Sequence, residues 1–214
     1  MDENVLKNIQ NNYNDFQDTL TEINFQYDQS EKYWNRIIEL FEPSPNERNN
    51  GNESASLSTS NSSSGKNGQI LIKIKEPIES IKSIVEDVNN KLNKMNDLLE
   101  ISKNTLNQIN NLNDINLISN RGKSKSEISI VDLIEFMTMI FNNFEQDFQM
   151  KKTLFDDIKE YMDPSSNQLN PNLTTDKLNT TIPMWTLKPL ENLKNSSYVS
   201  ERLKLFNSIL KLNK

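Results

Sequence analysis

Residues 9–41 read IQNNYNDFQDTLTEINFQYDQSEKYWNRIIELF, with apolar side chains spaced alternately three and four residues apart. The stripe consists of Ile9, Tyr13, Phe16, Leu20, Ile23, Tyr27, Ser30, Trp34, Ile37 and Phe41. Ser30 is its one polar member. A repeat of this period places one stripe along a helix and requires a matching stripe on a partner helix. We therefore predict an N-terminal amphipathic segment over residues 1–42, ended by Pro43 because proline lacks an amide donor.

Two further segments carry the same spacing and are predicted to form a helical hairpin over residues 70–164. The second helix is expected to begin near Gln69–Pro77. Its stripe consists of Ile74, Ile78, Ile81, Val85, Val88, Leu92, Met95, Leu99, Ser102, Leu106 and Ile109. The stripe of the third consists of Ile130, Ile134, Met137, Phe141, Phe144, Phe148, Lys151, Phe155, Ile158 and Met162. Additional apolar residues widen this third stripe, which is typical of a helix that contacts two neighbours.

The segments between and after these helices have a different composition. Residues 43–69 are rich in Ser and Asn and hold almost no apolar side chains, so we expect a disordered linker. Residues 165–214 are predicted to contain an irregular loop with Trp185 between Pro183 and Pro189, followed by a short C-terminal helix. The fold class predicted is all-α: an elongated antiparallel coiled-coil bundle of three long helices with a short fourth.

The composition disfavours most enzyme classes. The chain contains no Cys, no His and only four Gly. These absences exclude cysteine nucleophiles and thiolate metal sites, remove the usual histidine base and metal ligand, and leave too few glycines for a phosphate-binding loop. We therefore expect no catalytic, cofactor or metal site. The net charge of -6 disfavours direct nucleic-acid binding. Neither a secretory signal nor a membrane span is recognisable in the sequence.

The two tryptophans, Trp34 and Trp185, allow two interpretations. Trp is enriched among the residues that dominate protein interfaces, but it also packs in cores. Core packing is favoured for Trp34, which lies in the first stripe, and the two interpretations are even for Trp185. A buried Trp185 is expected either against the third helix, near Phe148 and Phe155, or in a partner's pocket.

Three pieces of the sequence resemble the family of the cyclin-dependent kinase 2-interacting protein (CINP). They are YWNRIIEL at residues 33–40, FQMKKTLF at residues 148–155, and MWTLKP at residues 184–189 followed by ERLKL at residues 201–205. The Met-Trp-x-x-x-Pro element is the most specific of the three. With the Trp argument above, the resemblance marks these partner-binding residues: Trp34, Met184, Trp185, Pro189, Arg202 and Leu205.

The resemblance implies a nuclear, non-enzymatic adaptor. Members of that family are associated with cell-cycle kinases, with replication and checkpoint machinery, and with a AAA-type ATPase complex. That complex acts on replication proteins and on maturing large ribosomal subunits. The helical stripes alone fit a second hypothesis equally well, namely a structural coiled-coil subunit of another assembly, such as a kinetochore or tethering complex.

Overall fold

The described part of the chain is helical almost throughout. The structure is a computed structural model and describes residues 3–41, 63–108, 130–161 and 175–187. Those residues form four α-helices: α1 (Glu3–Phe41), α2 (Ser63–Asn107), α3 (Ile130–Tyr161) and α4 (Thr175–Thr186). The all-α class predicted from the sequence is confirmed for this part of the chain.

The apolar stripe of α1 forms the buried face of the helix. Its members from Ile9 to Ile37 are all buried, and Phe41 is half-buried. The stripe of α3 behaves in the same way, with Phe141 half-buried and the neighbouring Ile140 buried. The predicted buried faces of these two helices are confirmed over most of each stripe, and Met162, the last predicted member in α3, lies outside the described residues.

The second helix begins earlier than predicted. It starts at Ser63 rather than near Gln69–Pro77, so the last seven residues assigned to the linker are helical and Pro77 lies inside the helix. A proline within a helix removes one backbone hydrogen bond and crowds the preceding turn. Here Pro77 is buried between two buried neighbours, Ile74 and Ile78. Leu71 is buried as well, and its burial extends the apolar stripe ahead of the proline and stabilises the helix on that side.

The short helix α4 is a correction to the predicted loop. Residues 175–186 form a helix that includes both Pro183 and Trp185. Leu178, Ile182 and Trp185 are buried at four- and three-residue spacing, so one face of this helix packs on the core. Pro183 and Pro189 favoured an irregular loop, but the burial of this short stripe outweighs the cost of Pro183 inside the helix. The predicted helix after Ser196 and most of the predicted linker lie outside the described residues.

The described residues divide into two compact units. Unit 1 contains residues 3–24, 88–108 and 130–148, and unit 2 contains residues 25–41, 63–87, 149–161 and 175–187. Helices α1, α2 and α3 contribute to both units.

In unit 1, two polar pairs fix how α1 faces α2. Asn12 Nδ2 donates a 3.2 Å hydrogen bond to Ser102 Oγ, and Ser102 itself donates to the Leu98 carbonyl at 2.8 Å. Lys91 Nζ lies 2.6 Å from Glu22 Oε2. Glu22 lies after Asn12 along α1, whereas its partner Lys91 lies before Ser102 along α2. The two helices therefore run in opposite directions in this unit.

Two ionisable groups of unit 1 have shifted pKa values. The hydrogen bond and charge of Lys91 hold the pKa of the Glu22 carboxyl below its ordinary value. Burial raises the pKa of the Tyr13 phenol to about 12, because the phenolate loses its hydration inside the core.

Candidate functional site

The core of unit 2 is organised around Trp185. This residue is 1% exposed and lies in one apolar cluster with side chains from all four helices. The buried members of the cluster are Trp34, Ile37, Ile74, Ile78, Ile81, Phe155, Ile158, Leu178, Ile182 and Trp185. Three members come from α4, which shows that the short helix is an integral part of this core.

The indole of Trp185 is oriented by a hydrogen bond to α1. Its Nε1 donates to Ser30 Oγ at 2.7 Å, and the Ser30 hydroxyl donates in turn to the Tyr27 carbonyl at 2.6 Å. The hydroxyl therefore acts as both acceptor and donor in a buried position, where an unmatched polar group would be costly.

Two aromatic rings of α1 complete the contacts of this indole. The Trp34 ring lies 5.3 Å from the Trp185 ring, centroid to centroid, at an interplanar angle of 60°. The Tyr27 ring lies 6.3 Å away and nearly perpendicular, at 86°. Edge-to-face packing of this kind adds to the stabilisation gained from burial.

Lys151 attaches the end of α4 to α3. Its side chain is buried, with 1% residue exposure, and its Nζ donates a 2.6 Å hydrogen bond to the Leu187 carbonyl, one residue beyond the last turn of α4. The same ammonium lies 3.9 Å from the centroid of the Tyr27 ring. A cation at the C-terminal end of a helix is favourable because the last carbonyls carry partial negative charge, and the aromatic face adds a cation–π attraction.

These contacts define the Trp185 anchor: Tyr27, Ser30, Trp34, Lys151 and Trp185. The anchor holds the end of α4 at two points, the indole of Trp185 and the backbone carbonyl of Leu187. The arrangement holds the C-terminal end of α4 in a defined position.

The partner-binding residues marked by the sequence fall into three groups. Trp34 and Trp185 are buried and brought together, although they are far apart in the sequence. Met184 is 39% exposed on the outer side of α4. Pro189, Arg202 and Leu205 lie outside the described residues. A role of these residues in binding a partner stays a prediction.

The location of Trp185 agrees in part with the expected alternatives. It is buried within the chain, and Phe155 of the third helix shares its cluster. However, its directional contacts are with Ser30, Tyr27 and Trp34 of α1, which the sequence argument did not anticipate.

Sequence reasoning did not identify Ser30 and Lys151 as members of a site. Both lie in otherwise apolar stripes, and both are buried with a specific partner. The polar interruption of the stripe was the available signal, since a buried polar group requires a hydrogen-bonding partner. Ser102, which interrupts the stripe of α2, pairs with Asn12 in unit 1 by the same logic.

The described residues hold neither a metal-binding cluster nor a membrane-crossing helix. None of their acidic side chains gather in the groups of three that could hold a metal ion. None of the described helices combines the length and the apolar character that crossing a membrane requires.

Comparison with known proteins gives no relative. No protein-family model, no curated protein and no solved structure matches this chain.

Proposed function

We propose that this chain is a non-enzymatic adaptor in which the Trp185 anchor positions a partner-binding segment that begins at Lys188. The observation that carries the proposal is the two-point attachment at the end of α4, through Trp185 Nε1 and the Leu187 carbonyl. A segment that leaves a rigid body from a fixed point loses less conformational freedom on binding than one attached through a mobile linker.

The chemical character of the nearby residues supports a binding role. Met184 in the last turn of α4 and Leu187 just beyond it are 39% and 58% exposed although both are apolar. The sequence that follows, from Lys188 to Lys214, contains six bases and two acids. An apolar contact surface next to a basic segment suits a partner with an acidic rim, because complementary charge accelerates association and restricts partner choice.

The identity of the partners is proposed from the resemblance to the CINP family. On that basis the chain acts in the nucleus, links cell-cycle kinases with replication and checkpoint machinery, and serves as a subunit of a AAA-ATPase complex. That complex acts in replisome turnover and in maturation of the large ribosomal subunit. MWTLKP at residues 184–189 supports this assignment most strongly.

The proposed architecture is an elongated antiparallel coiled-coil bundle of the three long helices with a short C-terminal helix. The buried four-three stripes of α1 and α3 support it, as do the opposite directions of α1 and α2 in unit 1. Small-angle X-ray scattering of the full chain tests it: an extended pair-distance distribution is expected, and a compact one would contradict the elongated form.

The function is tested by affinity purification of the tagged full chain from its own cells, read by mass spectrometry. We expect AAA-ATPase subunits and cell-cycle kinases with the natural chain, and loss of both with Trp185→Ala. Phe25→Ala is the matched control, because Phe25 is a large aromatic residue of α1 that is 59% exposed. Recovery of kinetochore or tethering subunits instead would favour the structural coiled-coil hypothesis.

The same variants need a stability measurement. Truncation of a buried Trp typically costs about 3–5 kcal/mol, whereas loss of an interface anchor costs about 2 kcal/mol or more of binding free energy. If Trp185→Ala changed neither the melting temperature nor the recovered partners, the adaptor proposal would lose its structural basis.

A further inference from the structure

The surface that receives α4 carries polar groups as well as apolar ones. We define the anchor groove by Tyr27, Ser30 and Trp34 of α1 with Lys151 and Phe155 of α3. Ser30 Oγ accepts the indole hydrogen of Trp185, and Lys151 Nζ donates to the Leu187 carbonyl. All five groove residues are buried. The helix that they contact carries Trp185 near its C-terminal end.

The helix that fills this groove has little helical tendency of its own. α4 is 12 residues long and contains Pro183 and four Thr residues. Isolated helices of this length are marginal in water even with favourable sequences, and Pro and Thr lower helix propensity further. The helical form of α4 therefore depends on its docking into the groove, which makes docking and folding of this segment one coupled event.

We propose that the anchor groove is a helix-binding site, that α4 is its internal ligand, and that a partner helix of matching chemistry competes with α4. The matching helix is amphipathic, with two aliphatic residues spaced like Leu178 and Ile182 and a Trp three residues after the second. It ends about two residues beyond that Trp. Ser30 selects the indole N–H, and Lys151 selects the negative end of the helix.

The complementarity of the groove to this ligand distinguishes it from a general apolar surface. An apolar surface would accept Phe in place of Trp with little loss. Here Phe would leave Ser30 Oγ without its donor, and a helix that continued past the groove would have no free carbonyl for Lys151. This proposal depends on the proposed function in one respect: it assumes that unit 2 belongs to the part of the chain that binds other proteins.

The test uses a fluorescent peptide of residues 175–187 and the full-length chain. The natural chain should bind the peptide weakly, because α4 occupies its groove. Only molecules whose α4 has left the groove can bind the peptide, and the apparent affinity is reduced in proportion to how few they are. Ile182→Glu places a charge on the buried face of α4 but leaves every groove residue unchanged. This variant should bind the peptide at least about tenfold more tightly.

Two further measurements test the chemistry of the groove. A peptide with Phe in place of Trp185 should bind the Ile182→Glu chain about fivefold or more weakly, the cost of one unmatched hydrogen bond. Adding Lys151→Met to the Ile182→Glu chain should also weaken binding, whereas adding Lys152→Met should not, because Lys152 is exposed. Circular dichroism confirms that each variant is folded, and Trp185→Ala serves as a second opened chain.

The proposal is overturned if the peptide binds neither opened chain while both remain helical. It is also overturned if the Phe and Trp peptides bind with equal affinity, since the hydrogen bond to Ser30 would then contribute nothing to binding. Neither result contradicts the adaptor function if affinity purification of the natural chain still recovers its partners. Loss of that recovery with peptide binding intact would instead count against the adaptor function alone.

Discussion

The indole Nε1 of Trp185 donates a 2.7 Å hydrogen bond to Ser30 Oγ, joining two residues that are 155 positions apart in the sequence. Ser30 is the one polar member of the α1 stripe, and Trp185 lies one residue before the end of α4. The contact explains the polar position: the gap in the apolar stripe provides the acceptor that a buried indole needs.

Replacement of each tryptophan by phenylalanine separates this hydrogen bond from packing. Trp34 Nε1 is buried and donates to no acceptor among the described residues, whereas Trp185 Nε1 has Ser30. Both replacements remove the same atoms. We therefore expect Trp185→Phe to lower the free energy of unfolding more than Trp34→Phe, by about 1 kcal/mol or more. Urea unfolding followed by circular dichroism measures the difference, and equal losses would show that the hydrogen bond adds nothing.

Replacement of Lys151 tests the attachment of α4 to α3. Lys151→Ala removes a charged hydrogen bond, a cation–π contact and the buried aliphatic stem, and should cost about 2–4 kcal/mol. Lys151→Met should cost less, because an apolar side chain of similar volume removes the charge and fills the space. Lys152→Ala, at the exposed neighbouring position, should stay within about 0.5 kcal/mol of the natural chain. Thermal unfolding provides the comparison, and similar losses for Ala at both positions would argue against the attachment.

The pKa of Glu22 should depend on Lys91. Because the folded-state pKa of Glu22 is lowered, its contribution to stability is present above the unfolded-state pKa and is lost as the pH falls through the folded-state pKa. In Lys91→Met, the pKa of the Glu22 carboxyl should rise towards its ordinary value. Carboxyl NMR titration of the two proteins checks this shift, and an unchanged titration would show that the 2.6 Å contact is not maintained in solution.

Tyr13 should make the chain sensitive to alkali. Burial raises its pKa from 10.0 to about 12, so its contribution to stability is complete below pH 10 and is lost as the pH rises towards 12. A shift of this size corresponds to at most about 3 kcal/mol. Between pH 10 and pH 12, Tyr13→Phe should lose less stability than the natural chain. Tyr33→Phe is the control, because Tyr33 is only half-buried, and it should lose as much stability as the natural chain. Urea unfolding at a series of alkaline pH values measures the effect, and parallel losses in all three proteins would exclude Tyr13 as the cause.

The four-three stripes were sufficient to predict the long helices. Burial follows the spacing from Ile9 to Ile37 in α1 and over most of α3, because a helix with one apolar face has only one way to remove it from water. The candidate site was predicted in part. Trp34 and Trp185 were identified as residues that require burial, but the sequence did not pair them with each other, with Ser30 or with Lys151.

What the sequence determined by itself is therefore the helical class and, over most of their length, the buried faces of α1 and α3. These depend on local periodicity, which repeats within every few residues. Only the tertiary structure decided that α2 continues through Pro77 and that α4 is a helix around Pro183. At both places a local cost is offset by burial against distant segments. The pairing of Ser30 with Trp185 was also decided there, because a hydrogen bond across 155 positions depends on how the helices pack and leaves no periodic signal in the sequence.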